Sequence, residues 1–123
     1  MTELQHLKEI AEWDAVWLAQ KEADAAPLLI FKRAPTCATA RVIERTFTDW
    51  LDSLPAAARD RLRVVAVDVI EQRPVARKVA QDTLIPHESP QALLFGPRRK
   101  RIWNASHWQI ERVALEAALK KVL

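Results

Sequence analysis

Apolar residues return every three or four positions in several stretches of this chain and gather into short continuous runs in others. From Thr2 to about Ala23, Leu7, Ile10, Trp13 and Trp17 recur at steps of three, three and four, and Leu4, Ala11 and Leu18 widen the stripe. That spacing predicts an amphipathic helix. Leu28 to Phe31, behind Pro27, is apolar at every position, too short for a helix and without alternation. Such a run predicts a strand buried on both faces, at the centre of a sheet. Helical period returns between Cys37 and Leu54 through Val42, Ile43, Phe47, Trp50 and Leu51, and Pro55 stops it. The valine-rich stretch from Leu62 to Val69 predicts a second strand. Arg73-Pro74 then opens a helix whose buried side is expected to hold Val75, Val79 and Ala80.

Leu84 to Pro90 carries two prolines and no periodicity, so it reads as a loop. Gln91–Phe95 and Arg101–Asn104 read as two strands of a hairpin around Gly96-Pro97. Gly96, the only glycine, sits where a positive φ is expected. Ser106 and Gln109 have capping-box spacing at the head of a last helix, with Ile110, Val113, Ala117 and Val122 expected inside. The order α, β, α, β, α, β, β, α contains a right-handed β-α-β crossover followed by an antiparallel pair. It predicts a single α/β domain over residues 1–123 with the thioredoxin-like fold: a four-stranded mixed sheet flanked by helices on both faces.

Composition narrows the functional classes. Half of the 123 residues are hydrophobic and 28% are charged, which excludes the disordered class. A single cysteine excludes an internal disulfide, and no basic-then-apolar leader opens the sequence, so a cytoplasmic protein is expected. No apolar run approaches the roughly 20 residues a membrane helix needs. The net charge of +3 is too balanced to imply nucleic acid. The basic run Pro97-Arg98-Arg99-Lys100-Arg101 is expected to be a solvated loop. His6 and His107 are distant from each other and from Cys37, and no zinc-ligand pattern emerges.

The chemistry of the chain therefore gathers at Cys37, placed where the first long strand gives way through Ala34-Pro35-Thr36 to a helix. A thiol at a helix N-terminus faces unpaired N–H groups and the positive end of the helix dipole, which favour thiolate over thiol. Thiolate is the nucleophile. The competing reading is a small buried hydrophobe. Lys32 and Arg33 close the preceding strand, where they are either cations that lower the Cys37 pKa or solvated strand-end charges.

Four blocks carry a family resemblance: Phe31-Lys32 with Thr36-Cys37; Asp68-Val69-Ile70-Glu71-Gln72-Arg73-Pro74-Val75; His87-Glu88-Ser89-Pro90-Gln91; and Trp103-Asn104-Ala105-Ser106-His107-Trp108. In these, over nearly its whole length, the chain resembles the monothiol bacilliredoxins. The resemblance implies thiol–disulfide exchange through Cys37 with proteins that carry bacillithiol, a low-molecular-weight thiol. Bacillithiol would be a co-substrate, with no permanently bound cofactor and neither nucleic acid nor membrane as partner. It further implies a cis Ser89–Pro90 bond facing Cys37, with Thr36, Ser89, Pro90, His87 and Glu88 around the bound thiol and, as one of the two readings of Lys32 and Arg33, their pairing with the carboxylates of bacillithiol's malate group. His107 and Trp108 are read as a helix-opening turn with an aromatic anchor. The family usually has proline after the cysteine and serine two residues further on, where this chain has Ala38 and Ala40. Position 40 is also where a dithiol thioredoxin keeps its resolving cysteine, so Cys37 has no internal partner, and Thr39 is expected to replace in part the hydroxyl lost at position 40. The alternative to an enzyme is a non-catalytic thioredoxin-like module that binds a protein or a thiol.

Overall fold

The computed structural model describes residues 4–123 of the chain. In order, its elements are β1 (Gln5–His6), α1 (Ile10–Ala19), β2 (Leu28–Arg33), α2 (Ala38–Ser53), α3 (Ala56–Asp60), β3 (Arg63–Asp68), α4 (Arg73–Thr83), β4 (Gln91–Phe95), β5 (Arg101–Ser106) and α5 (Arg112–Leu119). The strands form one sheet in the order β1-β3-β2-β4-β5. β3 runs parallel to β1 and β2, and β4 runs antiparallel to β2 and β5.

The continuous apolar run behind Pro27 is the middle strand, and its lack of alternation follows from burial on both sides. Leu28 and Ile30 join one apolar layer with Trp13, Val16 and Trp17 of α1 and Val75, Ala76 and Val79 of α4. Leu29 and Phe31 join the opposite layer with Ile43, Phe47, Trp50 and Leu51 of α2 and Leu115, Ala118 and Leu119 of α5. Successive strand side chains point to opposite faces, so each residue of β2 serves one layer only.

The sheet has five strands rather than the expected four. β1 is two residues long with both side chains exposed, so it leaves no hydrophobic signature. It replaces the expected start of the first helix, whose proposed first residue, Thr2, lies outside the described residues. The Glu12 carboxylate accepts the N–H groups of Lys8 and Glu9, 2.9 Å each, which fixes the helix start at Ile10. Leu7 is buried from the connector, while Ile10 and Leu18 are exposed. In α4, Ala76 rather than Ala80 completes the buried side.

Further expectations are corrected at the hairpin and at the last helix. Gly96 has φ −89°, and the left-handed positions of the hairpin fall on Arg98 (58°) and Arg99 (60°). Tertiary bonds hold that conformation: the N–H groups of Arg98 and Arg99 donate to the Glu22 and Gln20 carbonyls at 3.1 and 3.0 Å. The Arg99 guanidinium lies 4.6 Å from the Trp17 ring centroid, and its Nε donates to the Trp17 carbonyl. The basic turn thus docks on the end of α1 instead of projecting freely. At the C-terminus, Ser106 and Gln109 cap a short 3-10 turn, His107–Gln109, and α5 starts only at Arg112. The interruption shifts the helical phase, so Val113 and Ala117 face outward while Leu115, Ala118 and Leu119 face inward.

Candidate active site

β2 is the switch point of the sheet, with its α2 crossover leading to β3 on one side and β4 lying on the other. Ligands of open α/β sheets bind beyond the C-terminal ends of strands at such a point. The pairs Arg33↔Asp68, Lys32↔Gln91 and Gln91↔Ser106 bring four segments to this end: the turn after β2, the loop after β3, the loop before β4 and the turn after β5.

Cys37 occupies the N-cap of α2 with extended backbone, φ −97° and ψ 124°. Its N–H donates to the Ala34 carbonyl at 3.1 Å, closing a tight turn, and its carbonyl accepts the Arg41 N–H at 3.0 Å, opening the helix. Arg41 also reaches back, donating from Nη1 to the Pro35 carbonyl at 3.2 Å. The thiol is exposed, as are Thr36, Ala38 and Thr39, which sets aside the buried-hydrophobe reading. Ala40 faces the other way, buried in the α1/α4 layer. A 16-residue helix directs its unpaired N–H groups and positive dipole end at the cap where the sulfur sits.

The two cations closing β2 have different surroundings. Arg33 forks onto Glu44 of α2, with Nε and Nη2 each 3.0 Å from a carboxylate oxygen, and lies 3.9 Å from Asp68. Its charge is matched within the chain. Lys32 has no exposed surface, and its Nζ lies 3.2 Å from Nδ1 of His87. Burial pulls the Lys32 ammonium down to about 8. The His87 imidazole is also lowered, first by burial, then by the cations Lys32 and Arg77, against a small opposing pull from Glu88. The ammonium can donate only to a neutral ring, so Nδ1 accepts and the ring proton sits on Nε2.

The loop before β4 is held from beneath by Gln91, a buried residue absent from the expected site. Its Nε2 donates to the Pro86 carbonyl at 3.1 Å and its Oε1 accepts the Glu88 N–H at 3.4 Å. Its signal was its place at the end of the His-Glu-Ser-Pro-Gln block. The Ser89–Pro90 peptide is cis, Pro90 is buried, and the Pro90 carbonyl accepts the His107 N–H at 3.0 Å. Among the described residues, no hydrogen bond engages the Ser89 backbone. His87 and Glu88 are exposed. Trp108 is 64% exposed and so is not an anchor, and His107 beside it takes φ 53°. Among the described residues, no group of three or more His, Cys, Asp or Glu is placed to hold a metal ion, and no helix is long and apolar enough to cross a membrane.

Solved structures of thioredoxin fold share this architecture. One protein described as having a thioredoxin fold superposes with TM-score 0.72 at 23% identity over 94% of this chain and 92% of its own. Mitochondrial thioredoxin 3 from Saccharomyces cerevisiae gives 0.65 at 19% over 97% and 95%, and the thioredoxin of Malassezia sympodialis gives 0.69 at 18% over 98% and 91%. At these identities the likeness shows the fold. No curated protein sequence matches the chain significantly. The family model for "Monothiol bacilliredoxin BrxC" matches residues 5–115. The chain therefore belongs to the monothiol bacilliredoxin family, thiol redox proteins of thioredoxin-like fold.

Proposed function

We propose that this chain is a monothiol thiol–disulfide oxidoreductase that removes bacillithiol from protein mixed disulfides, with Cys37 as nucleophile. The observation that carries the reading is the placement of the only sulfur nucleophile, exposed at the N-cap of α2 and at the switch point of the sheet. The Cys37 thiolate attacks the bacillithiol sulfur of the mixed disulfide. A Cys37–bacillithiol S–S bond forms as the protein–bacillithiol S–S bond breaks, and the client leaves as a thiolate that takes a proton from water. With alanine at position 40, no second thiol of the chain can displace the adduct. An external low-molecular-weight thiol attacks the bacillithiol sulfur instead. It departs with bacillithiol as a disulfide, returns Cys37 as thiolate and supplies the two electrons. The free Ser89 backbone beside the site can pair with the extended chain of a client, as an added strand does. Thr36, exposed next to Cys37, borders the entering disulfide. Such exchange belongs to a reducing compartment, the cytoplasm, and has soluble bacillithiolated proteins and the free thiol as partners.

The test is turnover of a bacillithiolated protein, followed by loss of the adduct mass. Cys37→Ser is expected to fall to the uncatalysed rate because a hydroxyl is a far weaker nucleophile, with stability unchanged within about 0.5 kcal/mol at this exposed site. Turnover surviving in Cys37→Ser removes Cys37 from the chemistry. A wild-type protein that binds the client without releasing bacillithiol is a binding module instead.

A further inference from the structure

Beside the site, between the loop after β3 and the first two turns of α4, lies a recess of about 340 Å³ lined by Val69, Ile70, Arg73, Ala76, Arg77 and His87. Arg73 and Arg77, four residues apart on the helix, present both guanidinium groups to the same side. Neither makes an ion pair with a carboxylate among the described residues. Behind His87 stands Lys32, a wholly buried lysine whose one side-chain hydrogen-bond partner among the described residues is the His87 ring. The acids nearby do not balance this group. Asp68 is engaged with the Ile70 and Glu71 N–H groups at 2.9 and 3.0 Å and faces Arg33, and Glu88 is exposed on the loop. Two guanidinium groups and an imidazole thus line one concavity, with the buried Lys32 behind the ring and Glu88 opposing their charge at His87, next to an arginine, Arg33, that is matched by Glu44 and Asp68. Like charges one helical turn apart repel each other, and an entering anion relieves that repulsion. A planar carboxylate fits a guanidinium with two parallel hydrogen bonds.

We infer that this recess is a carboxylate subsite, in which Arg73 and Arg77 hold the dicarboxylate (malate) end of the low-molecular-weight thiol while its sulfur reaches Cys37. The inference rests on the bacillithiol reading and supplies its means of selection: Arg33, already paired, and Lys32, sealed inside, leave recognition to the two free arginines. Val69 and Ile70 continue the chain past Asp68, the register partner of Arg33, so the recess and Cys37 share one end of the sheet. Because both arginines are exposed, their replacement leaves the fold intact.

Two measurements test it. In the first, the reduced protein reacts with bacillithiol disulfide and with neutral 2-hydroxyethyl disulfide. The ratio of the two rates is expected to fall about tenfold in an Arg73→Gln, Arg77→Gln double variant, the scale of one lost charge-assisted contact. An unchanged ratio overturns the subsite, as does a slowing confined to bacillithiolated proteins, which would assign the arginines to acidic side chains of the client. In the second, malate is titrated into Cys37→Ser protein while the His87 ring is followed by NMR. Malate is expected to raise the His87 pKa against the pull of Lys32 and Arg77, malamide is not, and the double variant is expected to lose the response. No malate response overturns the subsite even if the enzyme turns over. A malate response without turnover overturns the enzymatic reading and leaves the subsite standing.

Discussion

Phe31 and Lys32 are consecutive residues of one strand, both fully buried, and they face opposite layers that solve different problems. On the α2/α5 side, Phe31 stacks on Phe47 with ring centroids 4.3 Å apart, and Phe47 lies 6.0 Å from Trp50. On the α1/α4 side the core is equally aromatic near the hairpin, where Trp13 stacks on Trp17 and Trp17 meets Phe95 edge-on. Toward Cys37, however, that layer gives way to Lys32 under His87. One face is filled for stability throughout; the other gives up apolar burial at one end to place a cation beneath the site. A strand buried on both sides can therefore carry structure and chemistry at adjacent positions without either disturbing the other.

The comparison can be broken most forcefully on the apolar face. Phe47→Ala should cost about 3–5 kcal/mol, the range for emptying an aromatic site in a packed core, read from urea unfolding. The thiol-exchange rate of the folded fraction should stay near wild type, because the lesion lies away from the recess. A collapse of activity in fully folded protein would show that the two faces are coupled.

On the polar face the expected sign reverses. With Lys32 at about 8 in the folded chain and near 10.4 when unfolded, the unfolded state binds more protons between those values. Stability of the wild type should therefore rise with pH from about 8 to about 10. Lys32→Met should remove that rise and stabilise the protein at neutral pH by roughly 2 kcal/mol, since a buried unmatched charge is replaced by an apolar side chain of similar length. Denaturant titrations at pH 7 and 10 decide it; a destabilised Lys32→Met protein would mean that the Lys32–His87 contact is net favourable. The smallest effect is expected at the hairpin, where Arg99→Ala loses the Trp17 ring contact and one carbonyl hydrogen bond, a change of about 1 kcal/mol in thermal unfolding, with Cys37 chemistry untouched.

Much of the scaffold was legible because its signals are local. The apolar run at β2, the valines of β3 and the stop at Pro55 marked elements to within a residue or two, and the place of Cys37 at a strand-to-helix turn followed from them. What escaped depended on distant parts of the chain. β1 consists of two polar residues that exist as a strand only because β3 offers an open edge. The positive φ expected at Gly96 lies instead on Arg98 and Arg99, held by carbonyls of Glu22 and Gln20. The pairing of Lys32 with His87 spans 55 positions and becomes visible only when the register sets Lys32 opposite Gln91. A lysine near the end of an apolar strand reads equally as a site cation or a solvated charge, and neither spacing nor composition reveals that it will be buried under His87.

The edges of the sheet have a consequence for the protein in crowded solution. A row of unpaired backbone N–H and C=O groups is a template onto which another chain can add, the first step toward aggregation. Here one outer strand, β1, is two residues long and carries polar side chains. The other, β5, is broken in register opposite Leu94 and Phe95, with the charged Arg101 at its start. Neither edge offers a long, flat, apolar row to a neighbour. Among the described residues, both edges of the sheet are therefore poor seeds for fibres, and strand addition by a neighbouring copy finds little backbone to build on.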